Sequence, residues 1–181
     1  MQKTFICASY PLGYISAASI YFVGFKSHNS GNNDCMSFMA QPHSSGTIHI
    51  AAAILMAPDN RILLVRKTGT TAFMQAGGKI EAGETALAAL QRELCEELGL
   101  NITPDQPQYL GQFSAPAANE TGFTVEAEIF RIALDQPVKK AAEIEEIIWV
   151  DPLHTAGLNL APLTEHYLLP LCHALLFNEQ Q

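Results

Sequence analysis

The residues from Gly78 to Leu100, GKIEAGETALAALQRELCEELGL, restrict the fold more than any other stretch of the chain. They open on a glycine-bracketed loop and continue as a helix predicted over residues 85 to 98. Thr85 is placed to cap its start, and Gly99 to end it in the left-handed conformation. Leu87, Leu90, Leu94 and Leu98 recur at three- and four-residue spacing, so one side of the helix is apolar and has to lie on a core. Glu93, Glu96 and Glu97 fall within about 100° of one another on the helical wheel, centred about 115° from the leucines. The spacing therefore predicts a helix that buries its leucines and presents three carboxylates to an open site.

Like charges at this spacing repel. A chain keeps such a cluster either solvated at its surface or bound to a hard divalent cation through oxygen. Mg²⁺ takes a few carboxylates together with water and substrate phosphates. Arg92 lies one residue before Glu93 and four before Glu96, within reach to brace them.

The surface for this helix comes from the runs around it. HIAAAILM (49 to 56) and RILLVRK (61 to 67) are apolar and β-branched, and the turn sequence APDN joins them as a predicted hairpin. A loop is expected between them and Gly77-Gly78. YLGQFSA (109 to 115), FTVEAEIFRIAL (123 to 134) and EIIWV (146 to 150) predict three further strands. APLTEHYLLPLCHALLF predicts a Pro-containing loop and then a terminal helix bent or interrupted at Pro170. Strands alternating with helices give an α/β/α sandwich around a mixed sheet. His49, inside an apolar run, reads as a satisfied and half-buried ring rather than a metal ligand.

At 181 residues, 48% hydrophobic and 15% charged, the chain can bury a core and is not a disordered polymer. Its net charge of −8 excludes a broad basic surface, and with it long nucleic acid as a partner. Cys7, Cys35, Cys95 and Cys172 are far apart, with no C-x-x-C pair, which argues against a zinc site or disulfide framework and for reduced thiols.

Residues 1 to 46 differ in character from the rest. Twenty-two uncharged residues separate Lys3 from Lys26, followed by the polar stretch SHNSGNNDC. Pro11, Gly13 and several Ser and Tyr residues dilute the apolar run. We read this segment as a dispensable extension, or as a consequence of start-site choice with translation beginning at Met36 or Met39. A signal or membrane anchor is the alternative.

The segment 78 to 100 matches G-x5-E-x7-R-E-U-x-E-E-x-G-U, with U a bulky aliphatic residue, at all nine defined positions. A chance match in a chain of this length is on the order of 10⁻⁸. That pattern is the Nudix box, and the chain resembles the Nudix hydrolase family over residues 47 to 176 in element order. The resemblance implies an α/β fold, a Nudix-type α/β/α sandwich with a mixed β-sheet, over a domain of residues 47 to 181. It implies Mg²⁺ as cofactor, with Mn²⁺ as a substitute. Glu93, Glu96 and Glu97 would be the ligands, joined by the backbone carbonyl of Gly78, with Arg92 and Glu84 orienting them. Water would attack phosphorus in the pyrophosphate link of a nucleoside diphosphate derivative. Glu143, six residues before Trp149, stands where some relatives carry an additional metal-binding or base carboxylate, and Glu145 and Glu146 are close by. Whether the base is Glu97 or Glu143 stays open. The implied partner is a small-molecule nucleotide in the cytoplasm, with no membrane partner, and the oligomeric state is undetermined.

Two substrate classes compete. GGKIEAGET resembles the enzymes that hydrolyse oxidised dGTP, but Ala76 stands where a proline usually precedes the glycine pair. Leu163 or Thr164 stands where those enzymes present an Asn to the purine. Pro116, sixteen residues beyond Leu100, and Glu120 resemble instead the ADP-ribose and nucleotide-sugar hydrolases. The reading favours a nucleoside triphosphate. A non-catalytic nucleotide-binding module on the same fold would be expected to have lost carboxylates that are all present here.

Overall fold

A computed structural model describes residues 45 to 178, all within one compact unit. The readings of the N-terminal extension, of Met36 as a start and of Cys7 and Cys35 lie outside the described residues. The elements are β1 (Gly46–Met56), β2 (Ile62–Lys67), β3 (Ala76–Lys79), α1 (Ala86–Leu98), β4 (Gln108–Pro116), β5 (Phe123–Ala133), β6 (Ile144–Val150) and α2 (Leu169–Asn178). A single π-helical turn, Thr164–Leu168, precedes α2.

The sheet runs β4-β5-β1-β2-β6, with β3 paired to β1. β1 and β5 are parallel in register from Gly46↔Phe123 to Met56↔Ala133, and the other pairings are antiparallel, so the sheet is mixed as expected. Side chains of β1 alternate between faces. Ala51, Ala53 and Leu55 join Leu90, Leu94 and Leu98 of α1 in one core. Ala52, Ile54 and Met56 join Leu168, Leu169, Cys172 and Leu176 in the other. One helix on each face of the sheet gives the three layers.

Thr85 and Gly99 do what their chemistry predicts. The Thr85 hydroxyl accepts from the Ala88 N–H at 3.2 Å, and Gly99 sits at φ +64° with its N–H on the Cys95 carbonyl. Leu90→Ala is accordingly expected to cost about 2–5 kcal/mol, because Leu90 is fully buried between α1 and the sheet. Urea unfolding measures it. An unchanged midpoint would contradict this packing.

Three features depart from the sequence reading. The stretch before the box is a strand, β3, and not only loop: β1 and β2 meet at Met56↔Ile62 and then diverge, and β3 fills the opening against Ile50–Ala53. Two glycines in four residues conceal it from any strand propensity. The terminal helix is interrupted before Pro170, not at it. Proline lacks an N–H, and its ring clashes with the carbonyl four residues back in a regular helix. The preceding turn widens instead, with the Leu169 N–H donating to the Thr164 carbonyl. His49 is 60% exposed and lies 3.3 Å from Glu126, rather than half-buried. Among the described residues no helix is long and apolar enough to cross a membrane.

Candidate active site

The divergence of β1 and β2 creates the site. β3 is wedged into the gap with Gly77 at φ +142°, where an added Cβ would collide with the Ala51 carbonyl oxygen and stand 2.6 Å from Ala52 Cα. Only glycine allows so close an approach. At Gly78 an added Cβ would occupy the place of the Glu93 carboxylate, so the missing side chain is the space into which Glu93 fits. A cleft of about 510 Å³ opens here, bounded by β1, β3, α1, the ends of β4 and β5, and the loop before α2.

The three carboxylates of α1 do not share one exposed face. At 100° per residue Glu97 lies about 20° from Leu90 on the wheel, Glu93 about 60° and Glu96 about 120°. Their side-chain exposures follow that order, at 1%, 14% and 60%. The expectation of three carboxylates in an open site therefore fails for Glu97, which is buried beneath β3. Its Oε2 accepts from the Gly77 N–H at 3.0 Å, and its Oε1 lies 2.6 Å from Nζ of Lys67, which also donates to the Gly77 carbonyl. Burial pushes the Glu97 carboxyl above the usual carboxylate range, and the Lys67 charge opposes that rise.

Glu93 and Glu96 are held by Arg92. Its guanidinium grips Glu84 through Nε at 3.1 Å and Nη2 at 3.0 Å, reaches Glu93 at 2.8 Å and Glu96 at 3.4 Å, and donates to the Lys79 carbonyl. A planar fork with five donors suits this task where a lysine would not. Hydrogen bonds from Arg92 and from the Glu81 N–H hold the Glu84 carboxyl below the usual range. Glu84 thus anchors the arginine, and the arginine spaces the other two carboxylates.

Among the described residues no three carboxylate, imidazole or thiol groups converge as a ready-made metal cage. Each carboxylate is instead paired with a cation of the protein, Glu84, Glu93 and Glu96 sharing Arg92 and Glu97 taking Lys67. The donor set still fits a hard divalent ion. It consists of oxygen only, Glu93 and Glu96 line the cleft beside Gly78, and Glu97 lies immediately beneath. Glu143 lies on the same cleft, with its backbone carbonyl accepting from the Thr68 N–H. Glu146 points elsewhere, to Arg66 at 2.9 Å, and Glu145 is exposed outside the cleft. The structure therefore separates Glu143 from its two neighbours.

The family model for the NUDIX domain matches residues 47–168. The chain belongs to the Nudix family. Members of the family act on small-molecule nucleotides and generally need a divalent metal. It is 28% identical over 109 residues to a relative named ADP-ribose pyrophosphatase from Methanocaldococcus jannaschii, covering 58% of this chain and 63% of that one. It is 29% identical over 120 residues to a CTP pyrophosphohydrolase from Escherichia coli, covering 64% and 84%. A protein named octanoyltransferase from Myxococcus xanthus is 33% identical over 118 residues, covering 61% of this chain but only 32% of its own length. The chain thus spans less than two thirds of two of these relatives. Among solved structures, a MutT protein from Methanosarcina mazei superposes with a TM-score of 0.60 at 21% identity, covering 76% of this chain and 98% of that one; this likeness speaks for the fold.

Sequence reasoning missed Lys67 and Gln75. Lys67 ends β2 as one more charged residue, and only the wedge of β3 reveals that it faces Glu97. Gln75 is the one polar residue in AFMQAGG, just before the glycine pair. It is 5% exposed on the cleft wall, and its Oε1 accepts from the Thr164 hydroxyl at 2.7 Å. Its Nε2 has no hydrogen-bond partner among the described residues. An unsatisfied buried donor costs about 1–3 kcal/mol, so it calls for an explanation.

Proposed function

We propose that this Nudix hydrolase cleaves the pyrophosphate link of a (deoxy)nucleoside triphosphate to give the monophosphate and pyrophosphate, nearest in pattern to enzymes acting on oxidised dGTP. The observation that carries the reading is the polarity of the cleft. Arg92, Glu93, Glu96, Lys67 and Glu143 supply charged groups to its lining, and Ile48, Ile50, Ala52, Val125 and Leu163 supply apolar ones. Charged phosphates suit the first set and a flat base the second. The relative named CTP pyrophosphohydrolase supports this class. ADP-ribose or a nucleotide sugar is the second reading, favoured by Pro116 and Glu120, which line the same cleft, and by the relative named ADP-ribose pyrophosphatase.

In this reading Glu93, Glu96 and Glu97, together with the Gly78 carbonyl, would hold the divalent ion. The ion supplies positive charge to the phosphate oxygens and acidifies water. Arg92 keeps Glu93 and Glu96 apart and aimed, and Glu84 fixes Arg92. Lys67 pairs with Glu97 and balances its charge beneath the cleft. Glu143 or Glu97 accepts the proton as the water oxygen bonds to phosphorus and the bridging P–O bond breaks, the leaving phosphate carrying away the electron pair.

The test is a nucleotide panel assayed with Mg²⁺ and with excess EDTA, products resolved by chromatography. Turnover should vanish in chelator and return with Mg²⁺ or Mn²⁺. Undiminished hydrolysis in EDTA would remove α1 as a metal site, and release of AMP from ADP-ribose alone would select the second reading.

A further inference from the structure

We propose that Lys67 is the resident counter-cation of Glu97 in the metal-free protein and holds down the affinity of the site for a divalent ion. The inference rests on the reading above in which Glu97 is one of the ion's ligands. Val65 packs into the α1-side core, so alternation along β2 places Lys67 on the same side. Arg66, on the opposite face, has its own anion in Glu146. The Lys67 ammonium stands 2.6 Å from Glu97 Oε1 and donates to the Gly77 carbonyl at 3.0 Å. The Gly77 N–H in turn donates to Glu97 Oε2. Lysine, carboxylate and β3 main chain thus close into one ring.

Charge decides what that ring does to a metal ion. Glu84, Glu93, Glu96 and Glu97 carry four negative charges when ionised, against two positive ones on Arg92 and Lys67. The remainder equals the charge of one divalent ion. Arg92 is divided among three carboxylates, whereas Lys67 pairs with Glu97 alone. Glu97 is 1% exposed, and a buried carboxylate stripped of its cation is strongly destabilising, so the lysine stabilises the empty site. The same charge repels a second cation at the same carboxylate. Lys67 is 30% exposed and lines the cleft with Glu93 and Glu96, so its field reaches their oxygens too. A purely structural staple would act in the other direction, because its loss would loosen a ligand and weaken ion binding. The two roles differ in sign.

Mn²⁺ is the probe, with binding to the full-length protein followed by electron paramagnetic resonance in the absence of nucleotide. Lys67→Met should bind Mn²⁺ about tenfold or more tightly than the wild type. Its metal-free melting temperature should fall, and the rise on adding Mn²⁺ should exceed that of the wild type. Lys67→Gln, which keeps a donor for the Gly77 carbonyl but no charge, should also bind more tightly and serves where Lys67→Met does not fold. Lys67→Arg, which keeps the charge, should bind as the wild type does. Unchanged or weaker binding in the folded charge-removing variants overturns the proposal and makes Lys67 a staple. An equal gain in Lys67→Arg would trace the effect to packing and overturn it as well. Glu97→Gln tests the reading beneath: it should weaken Mn²⁺ binding, and an unchanged affinity would remove Glu97 as a ligand and the role of Lys67 with it. Weaker binding in Glu97→Gln with no gain on removing the lysine charge overturns Lys67 alone.

Discussion

Glu97→Gln is expected to lower kcat by about 10²-fold or more while leaving the metal-free melting temperature within about 4 °C of the wild type. The substitution keeps size and helix propensity and removes one charge. Two effects on stability oppose each other. The ionised carboxylate is buried at a cost, which the neutral amide avoids; Lys67 loses its anion, which the amide only partly replaces. No such cancellation applies to turnover, because in the proposed mechanism the charge of Glu97 holds the ion that stabilises the transition state. The sign of the pH dependence follows from the raised carboxyl. A folded value above the unfolded one means that the stabilising contribution is present below the ordinary carboxylate range and is lost as pH rises through the folded value. Glu97→Gln should therefore gain on the wild type as pH rises through that window, in melts of the metal-free protein. Near wild-type kcat would exclude Glu97 from the chemistry. A joint collapse of kcat and melting temperature would make it a structural residue.

Gly77→Ala should be the most damaging single methyl in the described domain, at about 3 kcal/mol or more. The new Cβ collides with the β1 backbone at Ala51 and Ala52, and φ +142° is a conformation that L-residues avoid. Both neighbours are main chain, so no side-chain rotation relieves the clash. Because Gly77 also binds Glu97 and Lys67 through its own N–H and carbonyl, activity should fall with stability. Urea unfolding decides the matter, and an unchanged midpoint would mean that β3 can lift away from β1 at no cost.

Periodicity made the sandwich legible. The leucine stripe of α1, its caps and the apolar runs of β1, β2, β4, β5 and β6 are local signals, and the structure reproduces them within a few residues. β3 was not legible, because AGGK has no strand pattern of its own and becomes a strand only through the register of β1. The burial of Glu97 was half legible. Averaging the three carboxylates into one face concealed that position 97 is two turns from Leu90 and nearly in line with it. Glu143 could be singled out from its neighbours only in three dimensions, since Glu145 and Glu146 share its local sequence and differ in where β6 aims them. Lys67 and Gln75 carry no motif at all; their meaning comes from partners 30 and 89 positions away along the chain.

The parallel pairing of β1 with β5 also bears on the order in which this protein is made. Ile50 pairs with Ala127, so β2, β3, α1 and β4 are all synthesised between two strands that end as neighbours. Closing that pair costs chain entropy before any of its hydrogen bonds are gained, which makes it a late event in folding. The helix with its three glutamates and arginine leaves the ribosome early, but Val125 and Leu163, which complete the apolar lining of the cleft, are delivered after it. A nascent chain halted before Phe123 would carry every residue of the family's defining motif while still lacking the part of the cleft wall that β5 supplies through Val125.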